Sequence, residues 1–279
     1  MRLSRGTRNA LRIGVGITLA FIYIPLLVIL VYAFNAGTTL SWPLDGVTTK
    51  WFGEALSDDG FKSALLTSIK VGTAATAIAL VLGTLGSFAV ARHRFFGRET
   101  ISFLVIIPIA LPGIVTGIAL SNTFTQVFGI SLSLFTVVVA HATFCIVVVY
   151  NNVIARLRRV SANLEEASAD LGAHTWQTFR YVTLPSMQTA LVAGGLLAFA
   201  LSFDEIIVTT FTLGAGDETL PIWIFSNLFR GQQLPITNVV AVFVVLLSII
   251  PVYFAHRLTR DESLGGKGAA ATAEGTAVI

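Results

Sequence analysis

Long apolar runs dominate the chain, and one long polar stretch interrupts them. Uncharged apolar runs occur at residues 13–34, 71–91, 101–121 and 237–255. Two further runs contain ionisable residues and lie at about 131–150 and 187–213. Each run approaches or exceeds the ~20 residues that an α-helix needs to cross a bilayer. The pattern therefore predicts an all-α membrane protein with six transmembrane helices and no separate soluble domain.

The polar stretch between the fourth and fifth runs has the pattern of two short helices joined by a turn. Asn163 or Ser161 can cap the first helix, and Glu166 lies where its side chain could return to Asn163 in a capping box. We therefore predict that residues 161–186 form a rigid helix–turn–helix segment, here called the elbow, to which another protein can bind.

Glycine and proline define the rest of this elbow. Gly172 supplies the turn, and Thr175 can begin the second helix. Pro185 is expected to end that helix, because proline cannot continue the backbone hydrogen bonds of a helix interior.

Basic residues accumulate on one side of the predicted helices. The other side carries only Lys50, Lys62 and Arg230, with Lys70 near the start of the second run. By the positive-inside rule, the elbow and both termini are cytoplasmic. The net charge of +3 therefore follows from topology, and nucleic acid is not expected as a partner. The residues on the basic side are Arg2, Arg5, Arg8, Arg12, Arg92, Arg94, Arg98, Arg156, Arg158, Arg159, Arg180, Arg257, Arg260 and Lys267.

These patterns divide the chain into three parts. Residues 1–12 are expected to form a cytoplasmic N-terminus, and residues 13–262 the six-helix domain. Residues 263–279 are rich in Ala, Gly and Thr, which predicts a disordered cytoplasmic tail. The single cysteine, Cys145, lies inside the fourth run, so no internal disulfide is possible and a buried thiol is expected.

The composition and motifs argue against catalysis in this chain. Hydrophobic residues make up 54% and charged residues 12%, about half the usual share of charge in soluble proteins. No Gly-x-x-x-x-Gly-Lys-Ser/Thr pattern is present, and the four histidines lack metal-ligand spacing. We therefore expect no catalytic residue, metal or cofactor here, so the energy for any transport comes from a partner.

Two carboxylates inside the fifth run are the main candidates for a transport pathway. If the helix begins near Met187, Asp204 lies about 25 Å along it, at ~1.5 Å per residue. An ionised carboxylate in a membrane helix costs at least ~2.5 kcal/mol, so Asp204 and Glu205 should face a cavity or a partner. They either form a cation-attracting wall or make a structural pair with Lys70 or a neighbouring subunit.

His141, in the fourth run, is a further candidate for the same pathway. It could line the cavity or form a hydrogen bond with a neighbouring helix, and the sequence leaves both open. The candidate pathway residues are Asp204, Glu205, Phe203, Thr209 and His141.

Prolines and tryptophans add two local expectations. Pro108 and Pro112 in the third run predict a kink, and the glycines that follow allow close approach of another helix. Trp42, Trp51 and Trp223 lie in the outer segments and suit the membrane interface.

Glu166-Ala167-Ser168, then Gly172, then Leu184-Pro185 resembles the EAA motif of ABC-importer permeases. Ser168 replaces the second alanine of that motif, which exchanges one small residue for another. The resemblance implies the type I importer permease fold, also called MetI-like, with the elbow docked into a groove of a cytoplasmic ATPase. The coupling residues that it implies are Glu165, Glu166, Ala167, Asp170, Gly172, Ala173, Leu184 and Pro185.

Across residues 10–262 the chain is similar to the second permease subunit of spermidine/putrescine importers. This resemblance implies a polyamine cargo and a bacterial inner-membrane heteromer. The implied partners are a different permease, two copies of an ATPase that binds ATP and Mg²⁺, an extracytoplasmic binding protein and membrane lipid. Two alternatives stay open: another solute, such as an amino-acid-like amine, ferric iron or an anion, and a self-sufficient secondary transporter.

Overall fold

The structure, a computed structural model, describes residues 4–161, 163–249 and 253. The predicted tail at 263–279 lies outside the described residues. The helices are α1 (Arg5–Tyr32), α2 (Lys50–Ser57), α3 (Asp59–Arg92), α4 (Arg98–Ala110), α5 (Gly113–Asn122), α6 (Leu134–Leu157), α7 (Asn163–Asp170), α8 (Thr175–Thr178), α9 (Leu184–Phe203), α10 (Ile207–Thr212), α11 (Leu220–Leu228) and α12 (Gly231–Ile249).

The described residues contain five helices that are long and apolar enough to cross a membrane, or six spans if one bent pair of helices counts as a span. The five are α1, α3, α6, α12 and the continuous run Thr175–Phe203. The bent pair is α4 with 113–127, which turns by 105° and corresponds to the predicted third span. The first span begins earlier than predicted, because the Ser4 hydroxyl accepts a hydrogen bond from the Thr7 amide and caps α1 there.

The chain forms two compact units. One comprises Met1–Lys62 and Trp223–Ser248, and the other comprises Ser63–Ile222 and Ile249–Ile279. The second unit contains the elbow and the candidate pathway residues, and its core is built around α6, whose Val149, Val153 and Leu157 are fully buried. Cys145 is buried there, as expected, with its thiol 3.3 Å from the Ala198 carbonyl oxygen.

In the first unit, two tryptophans lie inside the fold. Trp51 is buried, and its indole N–H donates to the Asn35 carbonyl at 2.8 Å. Trp223 is also buried and packs beside Phe61. Both side chains therefore pack against the protein itself, whereas Trp42 is exposed.

The predicted kink in the third span is present. Helix α4 ends at Ala110, and Pro112 precedes α5 in an extended conformation, so the chain turns between the two helices. The glycines beyond the kink approach α10: a Cβ atom at Gly117 would lie 2.9 Å from Phe211 Cδ2 and 3.3 Å from Val208 Cα.

We expect Gly117→Ala to destabilise the protein relative to Gly113→Ala. Gly117→Ala gains about 0.5–1 kcal/mol of helix propensity, and Gly113→Ala gains less because Gly113 is the first residue of α5. Only the alanine at position 117 would overpack its surroundings, because the nearest atom to a Cβ at Gly113 is 3.7 Å away. Overpacking typically costs about 1–3 kcal/mol. Thermal unfolding in detergent would measure the difference, and equal midpoints for the two variants would contradict it.

The elbow forms as predicted in its first half. Ser161 Oγ accepts a hydrogen bond from the Asn163 amide at 3.3 Å, and Gly172 turns the chain with φ +85°. Helix α8 begins at Thr175. The capping box from Glu166 to Asn163 is not formed among the described residues.

Pro185 does not end the second helix, so that prediction is wrong. The helical run continues from α8 through a π-helical turn, Phe179–Thr183, directly into α9. Pro185 lies in the first turn of α9, where a missing amide hydrogen is tolerated. The wider π turn ahead of the proline changes the hydrogen-bond pattern, which allows the helix to continue.

Candidate functional site

The elbow exposes a set of large apolar side chains. Leu171, beside the turn, is 89% exposed, and Trp176 and Tyr181 on the second helical segment are 61% and 70% exposed. Large apolar side chains exposed together on one short polar segment are typical of an interaction site. The hydroxyls of Ser168 and Thr178 are 3.1 Å apart and join the two arms of the elbow.

The eight predicted coupling residues divide by exposure. Glu165 and Ala173 are half-buried, whereas the other six are exposed. The exposed six are Glu166, Ala167, Asp170, Gly172, Leu184 and Pro185. The elbow therefore has an outer face that is free to meet another protein and an inner face that contacts the rest of its own unit.

Glu165 is the centre of that inner face. Its Oε1 atom accepts hydrogen bonds from Arg92 Nε and from Thr183 Oγ1, each at 3.1 Å. A second guanidinium nitrogen of Arg92 is also 3.1 Å from the same oxygen, and Nη1 donates to the Leu157 carbonyl at 3.5 Å. We call Arg92, Glu165, Thr183 and Leu157 the inner clamp.

Sequence reasoning missed three members of the inner clamp, of which Leu157 contributes only its backbone carbonyl. Arg92 was counted only as a cytoplasmic charge, and Thr183 carried no signal at all. The one available hint was the position of Arg92 as the last residue of a span on the same predicted side as the elbow.

The predicted pathway carboxylates lie at a break between two helices. The fifth span was expected to continue to residue 213, but α9 ends at Phe203 and α10 begins at Ile207. The side chain of Glu205 supports the restart, because its Oε1 accepts a hydrogen bond at 2.9 Å from the Val208 amide, one of the amides in the first turn of α10 that have no partner within the helix.

The two carboxylates therefore differ in their surroundings. Asp204 is exposed, whereas Glu205 is half-buried and engaged with the backbone. Lys70 is exposed and makes no ion pair with either residue within the described part of the chain, so the structural pair with Lys70 is not formed. Phe203, beside them, stacks on Phe199 at 5.7 Å between ring centroids.

His141 and Thr209 are buried in one hydrogen-bonded chain. His141 Nδ1 is 2.7 Å from Ser202 Oγ, and Nε2 is 2.8 Å from Thr209 Oγ1. The Thr209 hydroxyl also lies 2.7 Å from the Glu205 carbonyl oxygen, to which it can donate, so the chain of hydrogen bonds continues from His141 to the backbone at the helix break. His141 thereby holds the break between α9 and α10 from both sides.

We expect His141→Leu to destabilise the protein by about 1–3 kcal/mol, because the buried Ser202 and Thr209 hydroxyls each lose a hydrogen bond to the imidazole ring. Thr210→Val is a matched control, since the exposed Thr210 hydroxyl bonds only the Ile206 carbonyl and its loss should change stability by less than about 0.5 kcal/mol. Thermal unfolding in detergent would compare the two. Equal stability of the two variants would argue against the role of His141 in holding the break.

A metal site is not indicated by the described residues, in which no three His, Cys, Asp or Glu side chains lie together. The second unit thus has two candidate functional features, which are the elbow, with its exposed face and inner clamp, and the helix break with its carboxylates.

Comparison with known proteins places these features in context. Residues 83–261 match the family described as binding-protein-dependent transport system inner membrane component. The putrescine transport system permease protein PotI of Escherichia coli (strain K12) is 33% identical over 249 residues, which cover 87% of this chain and 88% of PotI. The spermidine/putrescine transport system permease protein PotC of the same strain is 31% identical over 250 residues, covering 89% and 93% of the two chains.

The fold has a counterpart among solved structures. A chain in the crystal structure of the bacterial alginate ABC transporter, in complex with an alginate pentasaccharide-bound periplasmic protein, superposes with a TM-score of 0.71. The alignment covers 91% of this chain and 94% of that chain at 14% identity. The likeness therefore concerns the fold, and it confirms the predicted importer permease architecture.

Proposed function

Since the chain belongs to the family of binding-protein-dependent transport system inner membrane components, we propose that it is a permease subunit of an ATP-driven importer for polyamines. It is a multi-pass protein of the inner membrane, with several apolar helices long enough to span it. Its two relatives named above are permeases of putrescine and spermidine/putrescine transport systems, and they align along nearly their whole length.

The elbow is the observation that carries the proposal. A self-sufficient carrier has no need of an exposed apolar surface that is held rigidly to its membrane helices. In an importer, Leu171 and Trp176 would enter a groove on a cytoplasmic ATPase, and the exposed carboxylate of Glu166 would meet a basic group there. ATP and Mg²⁺ would be bound by that ATPase, present as a pair, and this chain would hold no cofactor.

The proposal that this chain is an importer permease also implies the remaining partners. A different permease subunit would complete the translocation pathway, and an extracytoplasmic binding protein would deliver the cargo. By the positive-inside rule, the basic residues that flank the spans support a cytoplasmic location for the elbow and both termini. Asp204, exposed at the helix break, supplies a negative charge suited to a cationic cargo.

Reconstitution tests the proposal. The chain would be co-purified from its native membranes with its ATPase and partner permease, and placed in liposomes with the binding protein. We expect ATP-dependent uptake of radiolabelled putrescine or spermidine that stops when the binding protein is omitted. Uptake driven by an ion gradient without an ATPase would favour a secondary transporter. If another solute is taken up in an ATP-dependent manner and polyamines are not, the proposed cargo is wrong but the assignment as an importer subunit stands.

A further inference from the structure

We propose that Arg92 is a positioning residue that links the inner face of the elbow to the membrane helices and transmits the displacement of the elbow to them. The proposal rests on the proposed function, because it assumes that an ATPase moves the elbow. It adds Arg92, a residue outside the elbow, to the residues that couple the ATPase to transport. It also assigns different roles to the adjacent residues Glu165 and Glu166.

The inner clamp joins three elements at one carboxylate oxygen and a fourth through Arg92. Glu165 lies on α7, Arg92 ends α3, Thr183 precedes α9, and Leu157 ends α6. Arg92 and Thr183 both donate to Glu165 Oε1, and Arg92 also reaches the Leu157 carbonyl. A movement of the elbow cannot leave these helix ends unaffected unless the hydrogen bonds break.

The burial of the pair makes this link stronger than an ordinary surface ion pair. The side chains of Arg92 and Glu165 are 14% and 20% exposed, in contrast to 53% and 97% for the Lys62–Asp59 pair. Exposed ion pairs contribute little to stability because water and salt screen them, whereas charge-assisted hydrogen bonds in partly buried sites are among the stronger hydrogen bonds in proteins.

Glu165 and Glu166 face different directions. Successive residues of an α-helix are rotated by about 100°, at 3.6 residues per turn. Glu165 consequently turns towards Arg92, while the neighbouring Glu166 is exposed and makes no hydrogen bond within the described residues. We assign the outer contact with the ATPase to Glu166 and the inward transmission to Glu165 with Arg92.

An aromatic contact runs parallel to the inner clamp. The exposed Trp176 stacks on Phe179 at 5.6 Å between centroids, and Phe179 packs edge-on against Phe88 of α3 at 6.0 Å. The outer face of the elbow is therefore joined to the end of α3 by packing as well as by charge.

The experiment measures solute transported per ATP hydrolysed in reconstituted complexes. We expect Arg92→Gln and Glu165→Gln each to lower this ratio by about tenfold, within the range of typical coupling between sites. ATPase copurification and the thermal midpoint should stay at wild-type values. Arg94→Gln removes the same charge from an exposed arginine two residues away and should leave the ratio unchanged. In the double variant with the charges exchanged, Arg92→Glu with Glu165→Arg, the amount of solute transported per ATP should return to at least about a third of the wild-type value.

Thr183→Val provides a milder test in case the charge variants fail to assemble. It removes one donor to Glu165 without changing the net charge, and we expect a decrease of about threefold. A wild-type ratio in an assembled Thr183→Val or Arg92→Gln complex overturns the proposal, and so does loss of the ATPase from assembled Glu165→Gln permease. Failure of the proposed function is distinguishable, because the wild-type complex itself would then show no ATP-dependent uptake.

Discussion

Replacing Glu166 with alanine is expected to lower ATP-dependent uptake at least about tenfold while the permease still folds. Glu166 is exposed on α7, and its carboxylate has no hydrogen-bond partner among the described residues, so its removal leaves the fold undisturbed. At a buried interface with an ATPase, a charge-assisted hydrogen bond contributes about 1.5–3 kcal/mol, and each 1.4 kcal/mol is about tenfold in an equilibrium constant. Uptake and ATP hydrolysis would be measured on the same reconstituted complexes.

Glu99→Ala is the matched control, since it removes an exposed glutamate from the first turn of α4, outside the elbow. It should transport at the wild-type rate. Normal uptake by Glu166→Ala, with normal recovery of the ATPase, would remove Glu166 from the coupling surface.

Gly172→Pro should produce the same uncoupling by distorting the elbow. Gly172 has φ +85°, which proline cannot adopt because its ring fixes φ near −65°. Its amide also donates to the Ala169 carbonyl at 2.8 Å, and proline lacks that hydrogen. The turn would be rebuilt while the membrane spans stay folded. Circular dichroism would report the helices, and copurification of the ATPase would report the docking surface.

The elbow illustrates what local sequence signals can predict. The glycine turn and the start of the second helix depend on residues within a few positions of one another, and both were found where expected. The outcome at Pro185 differs because a proline stop is only a tendency. The π turn at Phe179–Thr183 places the proline where no amide hydrogen is needed, and sequence alone gives no sign of such a turn.

Contacts between distant residues account for what the sequence did not predict. Arg92 and Glu165 are 73 positions apart, and His141 and Thr209 are 68 apart. No periodicity or spacing rule relates such pairs, so Arg92 looked like a topological charge. The helix break at 204–206 was hidden for a similar reason, since an apolar run does not show that Glu205 will accept a hydrogen bond from the first turn of a new helix.

The structure distinguishes Asp204 from Glu205 at the helix break, whereas the sequence could not show which of the two carboxylates is the better candidate for attracting a cation. Glu205 is committed to the Val208 amide, and a glutamine in its place could still accept that hydrogen bond through its amide oxygen. Asp204 is exposed, and its side chain makes no hydrogen bond among the described residues. Asp204 is therefore the better candidate for attracting a cation.

We expect Asp204→Asn to lower putrescine or spermidine uptake about fivefold and Glu205→Gln to lower it less. Opposite unit charges 4 Å apart attract by about 1 kcal/mol in water and by about 4 kcal/mol at an effective dielectric constant of 20. The exposure of Asp204 favours the lower value, which corresponds to about fivefold. Asn is nearly isosteric with Asp, so assembly should be unaffected.

Radiolabelled polyamine uptake by reconstituted complexes measures this effect, with assembly checked by size exclusion. Asp59→Asn is the control, because it removes an equally negative and highly exposed carboxylate, whose ion pair in the described part of the chain is with Lys62. A specific role predicts a loss for Asp204→Asn and wild-type uptake for Asp59→Asn. Wild-type uptake by both Asp204→Asn and Glu205→Gln would mean that the carboxylates only shape the helix break. The preference for a cation would then have to come from the binding protein that delivers it.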